Sequence, residues 1–248
     1  MAGLLADKVA VITGGGQGLG LAIAREFGGA GAHVLLVGRT EPVLTAARGQ
    51  VAAVSGGRVE TLLLDVAEPA AGDTLVRTTA ALFGAWDILV NSAGAFVFKS
   101  FLELSDEDWN RALATNLSAP FRLTRAWVKD LVAKKRGGVV LNIGSVHGAV
   151  GDANAVPQCA AKAGLIGLTR AMAEACREHG VRVNAIAPGA IAADSSHRLS
   201  VSSEALVTQG DVAQLATYLA SDKACCITGT TVDAFGMTRP VIANPGVG

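Results

Sequence analysis

Residues 8–20 read KVAVITGGGQGLG, and residues 21–32 continue as LAIAREFGGAGA. Beyond Lys8 the run is apolar and mostly β-branched, the composition of a strand buried on both faces. Glycines follow at once, and Leu21, Ala24 and Phe27 then recur at helical spacing. A strand, a Gly-rich turn and a helix in immediate succession suit a phosphate group. Glycine lets the backbone approach closely, and a helix N-terminus offers free N–H groups at the positive end of its dipole. Gly14, Gly16, Gln17, Gly18, Leu19 and Gly20 are therefore candidate cofactor contacts. A tight turn without a ligand is the alternative reading of the same loop.

HVLLVG at 33–38 reads as a second strand and closes a βαβ unit. A dinucleotide site that prefers NAD places an acid near the end of this strand, on the ribose 2′-hydroxyl. Here those positions are Gly38 and Arg39. Glycine cannot repel a 2′-phosphate and a guanidinium can pair with one, so NADP(H) is favoured over NAD(H). Gln17 is neutral and adds no second basic contact.

The alternation continues to the end of the chain. Helical patterns at 42–54, 68–83, 106–117, 120–134, 157–179 and 209–220 alternate with strand patterns at 58–65, 86–91, 139–144, 181–187 and 230–234. This predicts an α/β fold: one Rossmann-like, doubly wound parallel β-sheet with helices on both faces, spanning 1–248 as a single domain. Ligands in such sheets bind beyond the strands' carboxyl ends, where the Gly loop, Asn91 and Ser145 fall. A short polar lid is expected at about 190–208, and the tail at 237–248, with two prolines, is expected to lie over a surface.

Half of the residues are apolar and 17% are charged, against a usual charged share of about 25%. That calls for a large interior, a subunit interface, or both. Twenty-one basic residues balance twenty-one acidic ones, so no electrostatic case for nucleic acid exists. Cys159, Cys176, Cys225 and Cys226 form no CxxC pair and read as thiols of a reducing compartment. The N-terminus has no signal-peptide pattern, and no run is apolar enough to span a membrane, which points to a cytoplasmic location.

Several segments, in order and spacing, resemble the short-chain dehydrogenase/reductase family over essentially the whole chain. Thr13-Gly14 through Gly18 and Gly20 is similar to the family's TGxxxGxG cofactor loop. Asp65-Val66 resembles the acid and its neighbour at the adenine ring, and Asn91-Ser92-Ala93-Gly94 its NNAG segment with one change. Asn116 resembles the active-site asparagine, Ser145 the catalytic serine and Lys162 the lysine. Pro188-Gly189 with Ile191 is similar to the segment under the nicotinamide. The resemblance implies an oxidoreductase acting on a carbonyl or hydroxyl compound. It also implies a homodimer or homotetramer, for which Phe121, Leu123, Trp127, Val128 and Leu131 supply an apolar helix face, unless that set serves only the chain's own core.

The resemblance also exposes departures. The family's Tyr-x-x-x-Lys places tyrosine at Gln158, whether counted from Ser145 or back from Lys162. The divergent enoyl reductases place it seven before the lysine, at Ala155, and the chain's single tyrosine, Tyr218, belongs to a late helix. A threonine often found after Pro-Gly is replaced by Ala193, and the closing strand reads VDAFGM.

Carbonyl reduction requires a hydride on carbon and a proton on oxygen. In the family the tyrosine gives that proton, the lysine lowers its pKa and holds the ribose, the serine positions the oxygen and the asparagine holds a water relay. A glutamine amide donates a hydrogen bond but no proton near neutral pH. The candidate catalytic set is therefore Ser145, Lys162, Asn116, Gln158 and His147. His147 follows Ser145 by two residues, and an imidazole titrates near neutrality; Asp152 shares its loop. No His/Cys/Asp/Glu spacing marks a metal. Two other readings stand beside the reductase: a non-redox lyase, isomerase or cyclase on this scaffold, and an NADP-binding pseudoenzyme or partner subunit.

Overall fold

The computed structural model describes residues 3–189, 191 and 207–236. Its strands are β1 (Val9–Thr13), β2 (His33–Gly38), β3 (Val59–Leu63), β4 (Ile88–Asn91), β5 (Gly138–Ile143), β6 (Val181–Pro188) and β7 (Thr231–Ala234). The helices are α1 (Gly18–Gly29), α2 (Glu41–Ala52), α3 (Ala71–Phe83), α4 (Asp106–Leu113), α5 (Ala119–Ala133), α6 (Val156–Cys176) and α7 (Gln209–Ala220). The strands form one sheet in the order β3-β2-β1-β4-β5-β6-β7. All of the paired strands run parallel. The order reverses between β1 and β4, which opens a crevice at their carboxyl ends.

Successive strand residues face opposite sides of a sheet, and the two cores divide accordingly. Ile12, Leu36, Val90 and Leu141 pack with Phe27 of α1 and Leu219 of α7 on one side. Val11, Leu35, Leu89 and Val140 pack with Trp86, Leu123 and Trp127 on the other. The rings of Trp86 and Trp127 stack with centroids 4.4 Å apart. A Cβ on Gly138 would stand 2.8 Å from the Trp127 ring, so that position on β5 admits no side chain without moving it.

One expectation from sequence is corrected by the structure. A break between helices was expected before Pro120, but α4 and α5 run on through a π-turn at Ala114–Ser118. Proline has no N–H for the carbonyl four residues back, and its ring crowds it. The wider turn accommodates this: the Ala119 N–H donates instead to the Ala114 carbonyl, five residues back. For the apolar face of α5 the structure favours the chain's own core, one of the two readings open from sequence. Leu123, Trp127 and Leu131 are buried in the chain's own core and Val128 packs against it. Phe121, 41% exposed, is the member of that set left outward.

The expected lid lies outside the described residues except for Ile191, Val207 and Thr208, and the expected tail at 237–248 lies outside them altogether. Ile191 and Val207 form an isolated parallel bridge. Among the described residues no helix is long and apolar enough to cross a membrane.

Candidate active site

A cavity of about 840 Å³ opens at the carboxyl ends of the strands. One end is built by the Gly loop between β1 and α1. Gly14 has a φ of +67°, a left-handed conformation that favours glycine. A Cβ there would lie 2.9 Å from the Ala93 Cα, and one on Gly20 would run into the Gly14 carbonyl oxygen. Helix α1 starts at Gly18 with no side-chain cap from Gln17, so its first-turn N–H groups take no side-chain acceptor there. Gly14, Gly16, Gln17, Gly18, Leu19 and Gly20 all line the cavity, as sequence reasoning expects.

Thr13 locks this loop to the end of β4. Its hydroxyl donates to the Val90 carbonyl at 3.2 Å and accepts from the Ser92 and Ala93 N–H groups at 3.0 and 3.1 Å. Ala93 and Gly94 thereby form a wall of the cavity. Asn91 is placed differently. Its side chain is buried and donates to the Asn142 side-chain oxygen at 2.9 Å and to the Thr124 hydroxyl at 3.4 Å. Asn142 in turn donates to the Thr169 hydroxyl on α6 at 2.9 Å. Asn91 thus ties β4 to β5 and α5 and is not part of the cavity lining.

Farther along the crevice, Arg39 and Asp65 line the cavity beside Val66. The Arg39 guanidinium stands 3.5 Å from the Asp65 carboxylate and is two-thirds exposed. The other Asp65 oxygen accepts the Ala67 N–H at 2.9 Å, a short turn that holds the carboxylate at the rim. Pro188, Gly189 and Ile191 close the floor from β6. A glycine cradle, an uncapped helix start and a basic side chain on one elongated cavity fit a dinucleotide phosphate with an anion-binding end.

The opposite end carries Ser145, His147 and Lys162. Lys162 is buried on α6, and its amine donates to the Ile143 carbonyl at 2.7 Å. Burial lowers its pKa from the ordinary 10.5 to about 8. Ser145 begins a short 3-10 turn at Val146–Gly148, and its hydroxyl accepts the His147 N–H at 3.3 Å. The same oxygen lies 3.0 Å from His147 Nδ1, while His147 Nε2 lies 3.4 Å from an Asp152 carboxylate oxygen.

Asn116 and Gln158 meet behind this wall. The π-turn aims Asn116 at the Ala95 backbone, where it donates to the carbonyl at 2.8 Å and accepts the N–H at 3.2 Å. It also donates to Gln158 Oε1 at 2.9 Å. Gln158 is 1% exposed, and its amide nitrogen is buried without a hydrogen-bond partner. Neither residue is part of the cavity lining. The structure therefore brings Ser145, His147 and Lys162 together in the cavity and holds Asn116 and Gln158 as a pair beside it.

Sequence reasoning missed the roles of Thr13, Phe96 and Phe98. The two phenylalanines line the cavity, stand 64% and 54% exposed, and stack with centroids 6.3 Å apart. Their alternate spacing directly after Gly94 was the available signal. Among the described residues no cluster could hold a metal ion.

Comparison with known proteins agrees with the fold. The family pattern described as short chain dehydrogenase matches residues 8–204. The 3-oxoacyl-[acyl-carrier-protein] reductase FabG of Escherichia coli is 36% identical over 239 residues, covering 92% of this chain and 96% of that protein. A short chain dehydrogenase from Mycobacterium smegmatis superposes with a TM-score of 0.86 at 33% identity, covering 96% of this chain and 95% of its own. A short-chain type dehydrogenase/reductase from Mycobacterium marinum gives 0.88 at 27% identity, covering 95% and 97%.

Proposed function

This chain belongs to the short-chain dehydrogenase family, and from that premise we propose that it is an NADP(H)-dependent oxidoreductase interconverting a carbonyl and a hydroxyl on a small molecule. The observation that carries the reading is the single cavity joining the Gly loop and Arg39 to Ser145 and Lys162. When bound, the nicotinamide supplies or removes a hydride at the carbonyl carbon. Gly14, Gly18, Leu19 and Gly20 hold the cofactor phosphates, and Arg39 takes the 2′-phosphate. Asp65 and Val66 flank the adenine, and Lys162 holds the nicotinamide ribose.

Gln158 stands at the position of the family's tyrosine and withholds the proton that tyrosine would donate. Its carbonyl oxygen is already occupied by Asn116. The Gln158–Asn116 pair instead fixes the wall behind Gly94, whose Cβ position lies 3.3 Å from the Asn116 oxygen. Ser145 orients the substrate oxygen.

Phe96 and Phe98 give the substrate end an apolar rim. A carbonyl compound with an apolar arm fits it, and 3-oxoacyl thioesters, named for the Escherichia coli relative, are the first substrates to test. NADPH consumption should accompany transfer of deuterium from labelled NADPH to the product carbinol. NADPH binding without consumption across oxoacyl thioesters, ketones and aldehydes sinks the reading.

A further inference from the structure

The wall opposite the Gly loop carries a hydrogen-bonded array of three side chains that can move a proton. Ser145, His147 and Asp152 all line the cavity. Ser145 Oγ is 3.0 Å from His147 Nδ1, and His147 Nε2 is 3.4 Å from Asp152. The histidine and aspartate side chains are 15% and 9% exposed. Asp152 is itself fixed, because its other oxygen accepts the Asn154 N–H at 2.9 Å. The Phe98 ring sits edge-on to the imidazole, 6.4 Å between centroids, and shields it.

The donors and acceptors of this array are asymmetric. A carboxylate only accepts, so Asp152 holds a proton on His147 Nε2. That leaves Nδ1 to exchange a proton with Ser145. A hydroxyl has one donor and two acceptor sites. Ser145 Oγ accepts the His147 backbone N–H and can accept Nδ1–H. Its own proton is then free to point at a substrate oxygen. Asn116 is committed to Ala95 and Gln158, and the Lys162 amine spends one of its three donors on the Ile143 carbonyl and keeps the others for the ribose. On the surrounding elements Lys99 is engaged by Asp108, and the Cys159 thiol points to the Val150 carbonyl.

We infer that Asp152, His147 and Ser145 form a proton relay that delivers a proton from His147 Nδ1 through Ser145 Oγ to the substrate oxygen. The inference rests on the reductase reading above for its substrate. As the carbonyl π bond opens and its carbon receives the hydride, the oxygen takes the Ser145 hydroxyl proton. Ser145 Oγ takes the Nδ1 proton, and the imidazolium becomes a neutral imidazole with Nε2–H still on Asp152. One proton taken up from bulk solvent restores the imidazolium, and the alcohol product has gained one hydride and one proton. Ser145 and His147 are catalytic residues here, and Asp152 is a positioning residue.

Two measurements test it. In turnover, His147→Gln should lower kcat for carbonyl reduction by about 10²-fold or more, the usual worth of general acid catalysis, with NADPH affinity unchanged. Adding Gln158→Tyr to that variant should recover at least about tenfold, because a phenol supplies the missing acid. A His147→Gln enzyme within about threefold of wild type overturns the relay. In the cofactor-free protein, 15N spectra of His147 should show the neutral ring as the Nε2–H tautomer, and Asp152→Ala should weaken that bias toward the preference of a free histidine. A wild-type ring without it also overturns the relay. A protein that reduces nothing but shows the tautomer keeps the relay as a proton donor and sinks the reductase reading.

Discussion

Lys162→Met changes the pH dependence of stability in a direction that the structure fixes. The Lys162 amine is buried, and desolvation lowers its pKa from 10.5 to about 8. Below about pH 8 both folded and unfolded chains carry the charge, and the folded state bears the full cost of burying it. Between about 8 and 10.5 the unfolded chain keeps the proton and the folded chain has released it. The unfolded state binds more protons there, so stability rises with pH through that window. At about 1.4 kcal/mol per pH unit the whole interval is worth about 3 kcal/mol. About 2 kcal/mol of it falls between about pH 7 and about pH 9.5. The bond to the Ile143 carbonyl does not cancel the effect, because a neutral amine also donates. Urea unfolding of cofactor-free wild type and Lys162→Met at both pH values reads it directly. The unfolding free energy of wild type should gain about 2 kcal/mol on that of the variant at the higher pH, with equal m-values. A difference between the two proteins that does not change with pH refutes the reasoning.

Three further outcomes follow from the geometry. Gly14→Ala forces alanine into a left-handed conformation at φ +67°, at a cost of about 1–2 kcal/mol; the melting temperature should fall by about 2–8 °C and NADPH binding by more than about tenfold, read by fluorescence titration. Arg39→Ala removes the proposed 2′-phosphate partner; a charge-assisted bond of about 1.5–3 kcal/mol predicts about tenfold to hundredfold weaker NADPH binding with NADH unchanged, and equal weakening of both speaks against the assignment. Asn142→Ala takes one buried bond from the Asn91 amide, which keeps Thr124, and one from the Thr169 hydroxyl, which keeps Leu165; chemical denaturation should show a loss of about 1–3 kcal/mol.

The sheet and its Gly loop were legible because their signals are local and agree with one another. Apolar strands, glycines and helical spacing all point to the same alternation. His33–Gly38 was read to the residue, since Gly31-Ala32 precedes it and its closing Gly38 is followed by Arg39. The joint at Pro120 was misread because proline usually marks a helix start, and a π-turn has no sequence pattern of its own. The α5 face could be read either way from sequence, because apolar spacing does not say whether the stripe meets its own sheet or another chain. Asn91 was named for its motif, yet strand parity already placed it with Leu89 on the α5 side of the sheet. Phe96 and Phe98 lie on a loop, where no period links a residue to its neighbours in space. The array of Ser145, His147 and Asp152 was half visible: the spacing of serine and histidine could be read, but the turn that folds Asp152 back onto the ring could not.

The chain of amides from Asn91 through Asn142 to Thr169 acts as a detent between the sheet and α6. Thr169 lies seven residues, about two turns, beyond Lys162 on that helix, and its hydroxyl also donates to the Leu165 carbonyl at 2.8 Å. Sliding α6 along β5 would break the Asn142–Thr169 bond in a dry interior before any new partner came into reach. The helix that carries the lysine is therefore indexed to the strands like a bolt in its notch. The same notch sets where Lys162 stands, with its amine 2.7 Å from the carbonyl of Ile143, the last residue of β5.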